Sequence, residues 1–156
     1  MEDTYDLARF VTAQQPIYSQ ALAELAAGRK RSHWMWFIFP QLRGLGSSPM
    51  ARHYAIGSLA EARAYLAHPL LGARLRECTA LVNRLEVTTA EALFGHPDYL
   101  KFRSCMTLFA QAAGDVAADG GAPAEQQVFV AALRKYFAGE ADPLTRELLT
   151  ASRTSG

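Results

Sequence analysis

The residues best suited to chemistry stand together in one stretch, 29–42, in which cations precede a block of aromatic side chains. Arg29, Lys30 and Arg31 are consecutive, and His33 follows directly before the run Trp-Met-Trp-Phe-Ile-Phe-Pro. Leaving that much apolar surface in water would cost about 1.5–3 kcal/mol per side chain, so we expect the aromatic block to be buried. The cations and the imidazole would then lie at the edge of an aromatic-walled recess, which suits an anionic or flat, π-rich ligand.

Within this stretch, Lys30 and His33 are candidate catalytic residues, and Arg29 and Arg31 are candidate ligands for an anion. Lys30 could serve as a nucleophile or base, or could clamp a phosphate, and an imidazole can exchange protons near neutral pH. The alternative is a solvated turn after a helix end, where cations interact well with the helix dipole, and a half-buried histidine without a catalytic role. Because adjacent residues cannot all face one pocket, at most two of the three cations would serve. We expect Ser32 to cap the segment that follows.

Two tryptophans, Trp34 and Trp36, open the aromatic block. Such residues are usually core, and truncation there would cost about 3–5 kcal/mol. Residues 36–42 are the one place where the pattern allows a strand. If the segment is extended, the two rings share a face, and one of them could line the recess and stack on a base or sugar.

A glycine-rich loop follows the aromatic block, and its candidate ligand-binding residues are Gly44, Gly46, Ser47 and Ser48. Backbone amides and hydroxyls before a helix N-terminus form a natural phosphate cradle. The alternative is that Ser48 simply caps a short helix that has Pro49 at its first position.

A second candidate segment lies on a predicted helix, where Lys101, Ser104 and Thr107 recur at helical spacing. Lys101 is a candidate catalytic residue and the two hydroxyls are candidate ligand-binding groups, because lysine is rarely buried without a role. Alternatively, Lys101 extends to solvent along its aliphatic stem, and Ser104 bonds back to a helix carbonyl. If both segments form one recess, the Lys101–Thr107 face must lie beside residues 29–48.

Capping residues, glycines and prolines divide the rest of the chain into helices. Two capping boxes, at Ser58–Glu61 and Thr88–Glu91, and helix-ending glycines at 28, 114 and 139 mark the boundaries. They predict helices over residues 6–14, 16–27, 49–54, 59–66, 69–85, 98–113, 123–137 and 143–150. We therefore expect a compact all-α bundle of six to eight helices in a single domain over residues 1–156, with a mobile loop at 115–123 and a frayed tail at 151–156.

Composition limits the function classes. The 156 residues are 50% hydrophobic and 20% charged, which is typical of a soluble globular protein. A formal net charge of +1 gives no general attraction to nucleic acid or to anionic membranes. The N-terminus lacks an apolar run, and no segment approaches the ~20 residues that span a bilayer. Cys78 and Cys105 are expected to be buried free thiols, and the histidines show no metal-ligand spacing. We expect a cytoplasmic protein with neither cofactor nor metal.

The stretch 29–42 and the following Gly44-Leu45-Gly46-Ser47-Ser48 resemble the domain-of-unknown-function family numbered 1810. Tyr54-Ala55-Ile56, His68-Pro69-Leu70-Leu71-Gly72 and residues 98–109 add to this resemblance, which runs from about residue 5 to residue 149. The resemblance implies a small all-helical protein and no particular activity.

A fainter resemblance is to the NADAR glycosidases, which remove ADP-ribose from modified guanine. It rests on the small helical size, the pair Lys101-Phe102 and the early aromatic segment, while the C-terminal motif of those enzymes is missing here. Together, these observations predict a recess that binds a small phosphate-bearing, nucleotide-like molecule. The resemblance implies hydrolysis of a glycosidic bond in an ADP-ribose-type substrate. The alternative is a binding module without turnover, for a ligand or for the acidic tail of a partner.

Overall fold

The computed structural model describes residues 3–86, 89–114 and 124–154, and within them it confirms an all-α fold. These residues form ten helices, which exceeds the six to eight predicted because two short helices, α3 of four residues and α7 of five, were not among the predicted ranges. The helices are α1 (Ala8–Gln14), α2 (Tyr18–Ala26), α3 (Met35–Ile38), α4 (Pro49–His53), α5 (Leu59–Ala67), α6 (Leu71–Arg84), α7 (Ala90–Phe94), α8 (Asp98–Gly114), α9 (Ala124–Phe137) and α10 (Pro143–Thr154).

The longest of these helices, α8, lies at the centre of the molecule and contacts α5, α7, α9 and α10. Its aromatic residues organise the core. Phe102 packs edge-on against Phe39 from the aromatic block and stacks on Phe94 of α7, with ring centroids 5.1 and 4.6 Å apart. Phe109 contacts Tyr65 of α5 at 5.3 Å. The aromatic block is therefore packed against the same helix that carries the second candidate segment.

Several predicted helix boundaries are confirmed in atomic detail. The hydroxyls of Ser48, Ser58 and Thr89 each accept a hydrogen bond from the backbone N–H three residues ahead, as N-cap residues do. Thr89 caps α7, and Thr88, the first residue of the predicted capping box, lies outside the described residues. Gly28, which follows α2, has a φ of 78°, a conformation that favours glycine. Local spacing is sufficient to predict these features because both partners lie within one helical turn.

The possible strand at residues 36–42 is not present. Met35–Ile38 is a single helical turn, and the extended backbone after it makes one isolated parallel bridge, between Leu42 and Ile56. The turn separates the two tryptophans: Trp34 is completely buried, and Trp36 is only half-buried. The two rings would share a face only if the segment were extended, and it is helical here.

The C-terminal end of α6 is held by side chains of α9. Lys135 donates to the carbonyls of Asn83 and Leu85, and the Tyr136 hydroxyl donates to the Val82 carbonyl at 2.6 Å. These donors satisfy carbonyls that a helix end leaves without intrahelical partners. The contacts tie α9 to α6.

Cys78 and Cys105 are both free and buried, as predicted. The predicted loop at 115–123 lies outside the described residues, as do residues 155–156, while α10 continues to Thr154, four residues past its predicted end. No helix in the described part of the chain is long and apolar enough to cross a membrane.

Candidate functional site

The loop that carries the consecutive cations is shaped by one buried carboxylate, that of Glu24 in α2. Its Oε1 accepts hydrogen bonds from the backbone N–H groups of Arg31 and Ser32, at 2.8 and 2.9 Å, and from Nε1 of Trp34 at 2.9 Å. Its Oε2 accepts from the Ser32 hydroxyl at 2.6 Å and from Gln20 at 3.0 Å. The loop therefore wraps around a fixed negative charge.

Two effects act on the pKa of Glu24. Burial alone would raise it, but the hydrogen bonds from Ser32, Arg31 and Gln20 outweigh burial and lower the pKa from 4.5 to about 2. The prediction that Ser32 caps the following segment was wrong. Its hydroxyl donates to Glu24, and α3 has no side-chain cap.

Lys30 points inward and forms an ion pair with Asp98, the first residue of α8, with 2.8 Å between Nζ and Oδ2. The other oxygen of Asp98 lies 3.3 Å from Nζ of Lys101, one turn further along α8. The Lys30 and Lys101 ammoniums lie 5.2 and 5.1 Å from the ring centroids of Trp34 and Trp36 respectively, within the range of a cation–π interaction. One carboxylate thus holds two ammoniums, each against a tryptophan.

The two ammoniums differ in access to solvent. The Lys30 side chain is 7% exposed, whereas that of Lys101 is 24% exposed. Asp98, between them, is 20% exposed. Lys101 is therefore the cation of this cluster that an incoming ligand can reach.

A recess of about 400 Å³ lies next to Lys101. The loop after the aromatic block, the start of α8 and the start of α10 form its walls. Its lining residues are Gln41, Leu45, Gly46, Pro97, Leu100, Lys101, Ser104, Asp142 and Leu144. The structure therefore brings together the two segments that the sequence placed far apart, since Gly46 and Lys101 line the same recess.

Gly46 is required by close packing at this wall. A Cβ atom at residue 46 would lie 2.6 Å from the Cβ of Ala51 in α4. Ala51 is fixed in a helix, so a side chain at residue 46 would push the loop away from α4. The glycine keeps this wall of the recess in place.

The predicted hydroxyl groups are occupied by intramolecular bonds. Ser104 donates to the Leu100 carbonyl at 3.1 Å, although the residue still lines the recess. Thr107 donates to the Arg103 carbonyl at 2.8 Å and accepts from the Asp142 N–H at 2.8 Å. Thr107 is thus joined to the recess through Asp142.

The remaining predicted site residues lie elsewhere on the molecule. Gly44 faces Leu148 of α10, and the Ser48 hydroxyl is used as the cap of α4. Trp34 is closed off in the core. Arg29, Arg31, His33 and Ser47 are exposed and, like Gly44 and Ser48, lie outside the lining of the recess.

Two acidic residues of this region had no role in the prediction, Asp98 and Asp142. Both stand at helix starts beside a proline, where an aspartate is expected as a local cap or first-turn residue. Asp142 does cap α10, since its Oδ2 accepts from the N–H and the hydroxyl of Thr145. The sequence therefore indicates only this local role. It does not predict that Asp98 lies beside Lys101 or that Asp142 lines the recess. Among the described residues, no group of His, Cys, Asp or Glu side chains is arranged to hold a metal ion.

The comparisons with known proteins agree with this fold. The model of the family described as "Protein of unknown function (DUF1810)" matches residues 4–149. The crystal structure of the conserved hypothetical protein Rv1873 from Mycobacterium tuberculosis is similar, with a TM-score of 0.87 and 55% sequence identity over 95% of this chain and 99% of that chain. No curated protein matches the chain.

Proposed function

Because the chain belongs to the DUF1810 family, whose description gives no activity, we propose its function from the recess itself. We propose that the recess binds a small phosphate-bearing, nucleotide-like molecule whose anionic group meets Lys101. The observation that carries this proposal is the cluster of two ammoniums around Asp98, of which Lys101 lines the recess.

The charge of the lysine cluster supports an anionic group on the ligand. Lys30 and Lys101 share the single negative charge of Asp98, so the cluster retains one positive charge. Lys101 carries that charge toward the recess because it is the more exposed of the two lysines. An ammonium is an established phosphate-binding group that acts as a point charge.

The walls of the recess support a ligand with a flat or weakly polar part. Leu45, Pro97, Leu100 and Leu144 supply most of the apolar lining, and Leu100 and Leu144 are 40% and 48% exposed. Exposed apolar side chains around a few convergent polar groups are typical of a ligand site. A nucleobase or a sugar ring would cover these side chains when the ligand is bound.

The test is ligand binding by the wild-type protein and by two charge-matched variants. Thermal shift and calorimetry with ADP-ribose, NAD and simple nucleotides should show binding by the wild type and a loss of binding in Lys101→Met. Arg84→Met removes an exposed cation at the end of α6 and should leave the affinity unchanged. If none of these ligands binds, or if both variants lose affinity equally, the proposal is wrong.

A second candidate function is hydrolysis of a glycosidic bond in such a ligand. The observation that favours it is that the carboxylate-bearing Asp142 lines the same recess as Lys101. As water adds to the anomeric carbon and the bond to the base breaks, a carboxylate can take the proton of the attacking water, and that proton then passes through solvent to the departing base. Incubation of a bound ligand, followed by chromatography, distinguishes an enzyme from a binding module. Free base and a ribosyl product would show turnover, and intact ligand would show binding alone.

A further inference from the structure

The segment that leads into α10 is fixed to α8 by several hydrogen bonds. Arg103 donates from Nε to the carbonyl of Glu140 and from its terminal nitrogen to the carbonyl of Ala141, both at 3.0 Å. One turn further along α8, the Thr107 hydroxyl accepts from the N–H of Asp142 at 2.8 Å. Two side chains of α8 thus hold three consecutive backbone positions, 140–142.

These bonds determine where the Asp142 carboxylate lies. Its Oδ2 accepts from the N–H of Thr145 at 2.9 Å and from the Thr145 hydroxyl at 2.6 Å. The Thr145 side chain is completely buried, so it anchors this oxygen firmly. Both bonds are to one of the two carboxylate oxygens, and a carboxylate can accept about four hydrogen bonds in all. Asp142 is therefore fixed at the wall of the recess with capacity to accept further hydrogen bonds.

The recess thus has two polar groups of opposite charge, Lys101 and Asp142, and an amide side chain, that of Gln41, among apolar walls. A ligand that offered only a phosphate would satisfy Lys101 and leave a carboxylate beside the bound anion. Hydrogen-bond donors on the same ligand would instead pair with that carboxylate, and a Gln amide can both donate to and accept from a hydroxyl.

We propose that Asp142 is the second ligand-binding residue of the recess and that the ligand is a sugar phosphate or contains one. The phosphate meets Lys101, and the sugar hydroxyls donate to Asp142 and pair with Gln41. This inference rests on the proposed function, because it takes Lys101 as the anion-binding group. It also assigns Arg103 and Thr107 as positioning residues that act through the 140–142 segment.

The test compares ribose 5-phosphate with inorganic phosphate as calorimetric probes. Asp142→Asn keeps a side-chain oxygen that can cap α10 but removes the charge. We expect it to weaken ribose 5-phosphate binding about tenfold, as the loss of a charge-assisted hydrogen bond would. Binding of inorganic phosphate should not weaken, because a repelling charge has been removed. Lys101→Met should lose binding of both probes.

A second pair of variants tests positioning without changing the charge. Thr107→Val removes the acceptor for the Asp142 N–H and should weaken ribose 5-phosphate but not phosphate. Thr107→Ser keeps the hydroxyl and should restore sugar phosphate binding. Asp142→Ser, which also retains a capping oxygen, replaces Asp142→Asn if the melting temperature of that variant shows that it is unfolded.

The outcomes separate this inference from the proposed function. If phosphate binds in a Lys101-dependent manner but Asp142→Asn binds ribose 5-phosphate as tightly as the wild type does, the role of Asp142 is refuted and the anion site stands. If the wild type binds neither probe, both proposals fail. A parallel loss of both probes in Asp142→Asn would also refute the role, since it would indicate a structural effect.

Discussion

Lys30 Nζ lies 2.8 Å from Oδ2 of Asp98, and this ion pair fastens the loop between α2 and α3 to the first turn of α8. Because the Lys30 side chain is 7% exposed, its charge is largely withdrawn from solvent. Lys30 contacts Oδ2 of Asp98, and Lys101 contacts Oδ1 of the same carboxylate.

We expect this ion pair to control the anion affinity of Lys101. In Lys30→Met, Asp98 would neutralise Lys101 alone, so binding of phosphate or ADP-ribose should weaken. In Asp98→Asn, Lys101 would lose its counter-ion and binding should strengthen. The double variant should return toward the wild-type affinity. Calorimetry at low and high salt measures these changes, and they should shrink as salt screens the charges.

The control for the previous experiment is the melting temperature of each variant, because removing one partner of a poorly exposed ion pair also costs stability. Asp98→Asn leaves Lys30 without its partner carboxylate, yet it should bind the anion more tightly. If affinity merely follows stability across the set, the electrostatic explanation is refuted.

Glu24 makes stability depend on pH in acid. Its folded-state pKa of about 2 lies below its ordinary value of 4.5, so its ionised form stabilises the fold. That contribution is fully present above about pH 5 and is lost as the pH falls toward 2. It is on the order of 3 kcal/mol. Urea unfolding across pH 2–7 should show this loss in the wild type and a flatter profile in Glu24→Gln. Equal slopes for the two proteins would contradict the assignment.

Gly72 permits a close approach between α5 and α6. A Cβ at residue 72 would lie 2.1 Å from the carbonyl oxygen of Leu66, and backbone cannot move aside as a flexible side chain can. Gly72→Ala should therefore lower the melting temperature severely. Gly95→Ala is the matched control. Its added Cβ has no atom within 4 Å, and only its φ of 79° is unfavourable, at a cost of about 1–2 kcal/mol. If both variants melt alike, the packing argument is wrong.

Gly46 should affect ligand binding more than it affects stability. In Gly46→Ala the new Cβ would clash with that of Ala51 at 2.6 Å, so the loop should shift and change the wall of the recess. We expect weaker binding of ADP-ribose with a small change in melting temperature. Removal of the opposing Cβ in the double variant Gly46→Ala/Ala51→Gly should restore the affinity. The glycine at residue 51 should lower the stability of the protein by about 1 kcal/mol, because glycine is a poor helix former. A double variant that binds no better than Gly46→Ala would contradict this.

The sequence predicts features whose partners are close in the chain. Ser58 is predicted as a cap, and a cap is the alternative to a phosphate ligand for Ser48, because a hydroxyl and the amide three residues later form a local pair. Ser32 also precedes a helix, as a capping serine does, but its hydroxyl donates instead to the buried carboxylate of Glu24 in α2. The packing of α2 against the following loop determines that outcome.

In the candidate site, too, the sequence predicts individual residues but not the contacts between distant ones. The sequence identifies Lys30 and Lys101 separately, Lys30 because it stands among cations ahead of the aromatic block and Lys101 because it stands on an otherwise apolar helix. Their link through Asp98 was not predicted, because the partner of a charge depends on which helix ends meet. For Asp142 the sequence indicates only a helix start, since its position at the recess depends on how α10 packs against α8. The sequence predicts Trp34 as a ligand-binding residue although it is fully buried, because a tryptophan in a core and one in a pocket have the same local sequence.

The two buried thiols, Cys78 and Cys105, can serve as probes of local unfolding. Burial raises the pKa of Cys78 to about 12 and raises that of Cys105 well above its ordinary value, and the thiolate is the form that reacts with alkylating agents. Cys105 lies on α8 and Cys78 on α6, so alkylation of each requires a different part of the core to separate. The relative labelling rates of the two thiols would show whether α6 detaches before the central helix is exposed or whether both open in a single event.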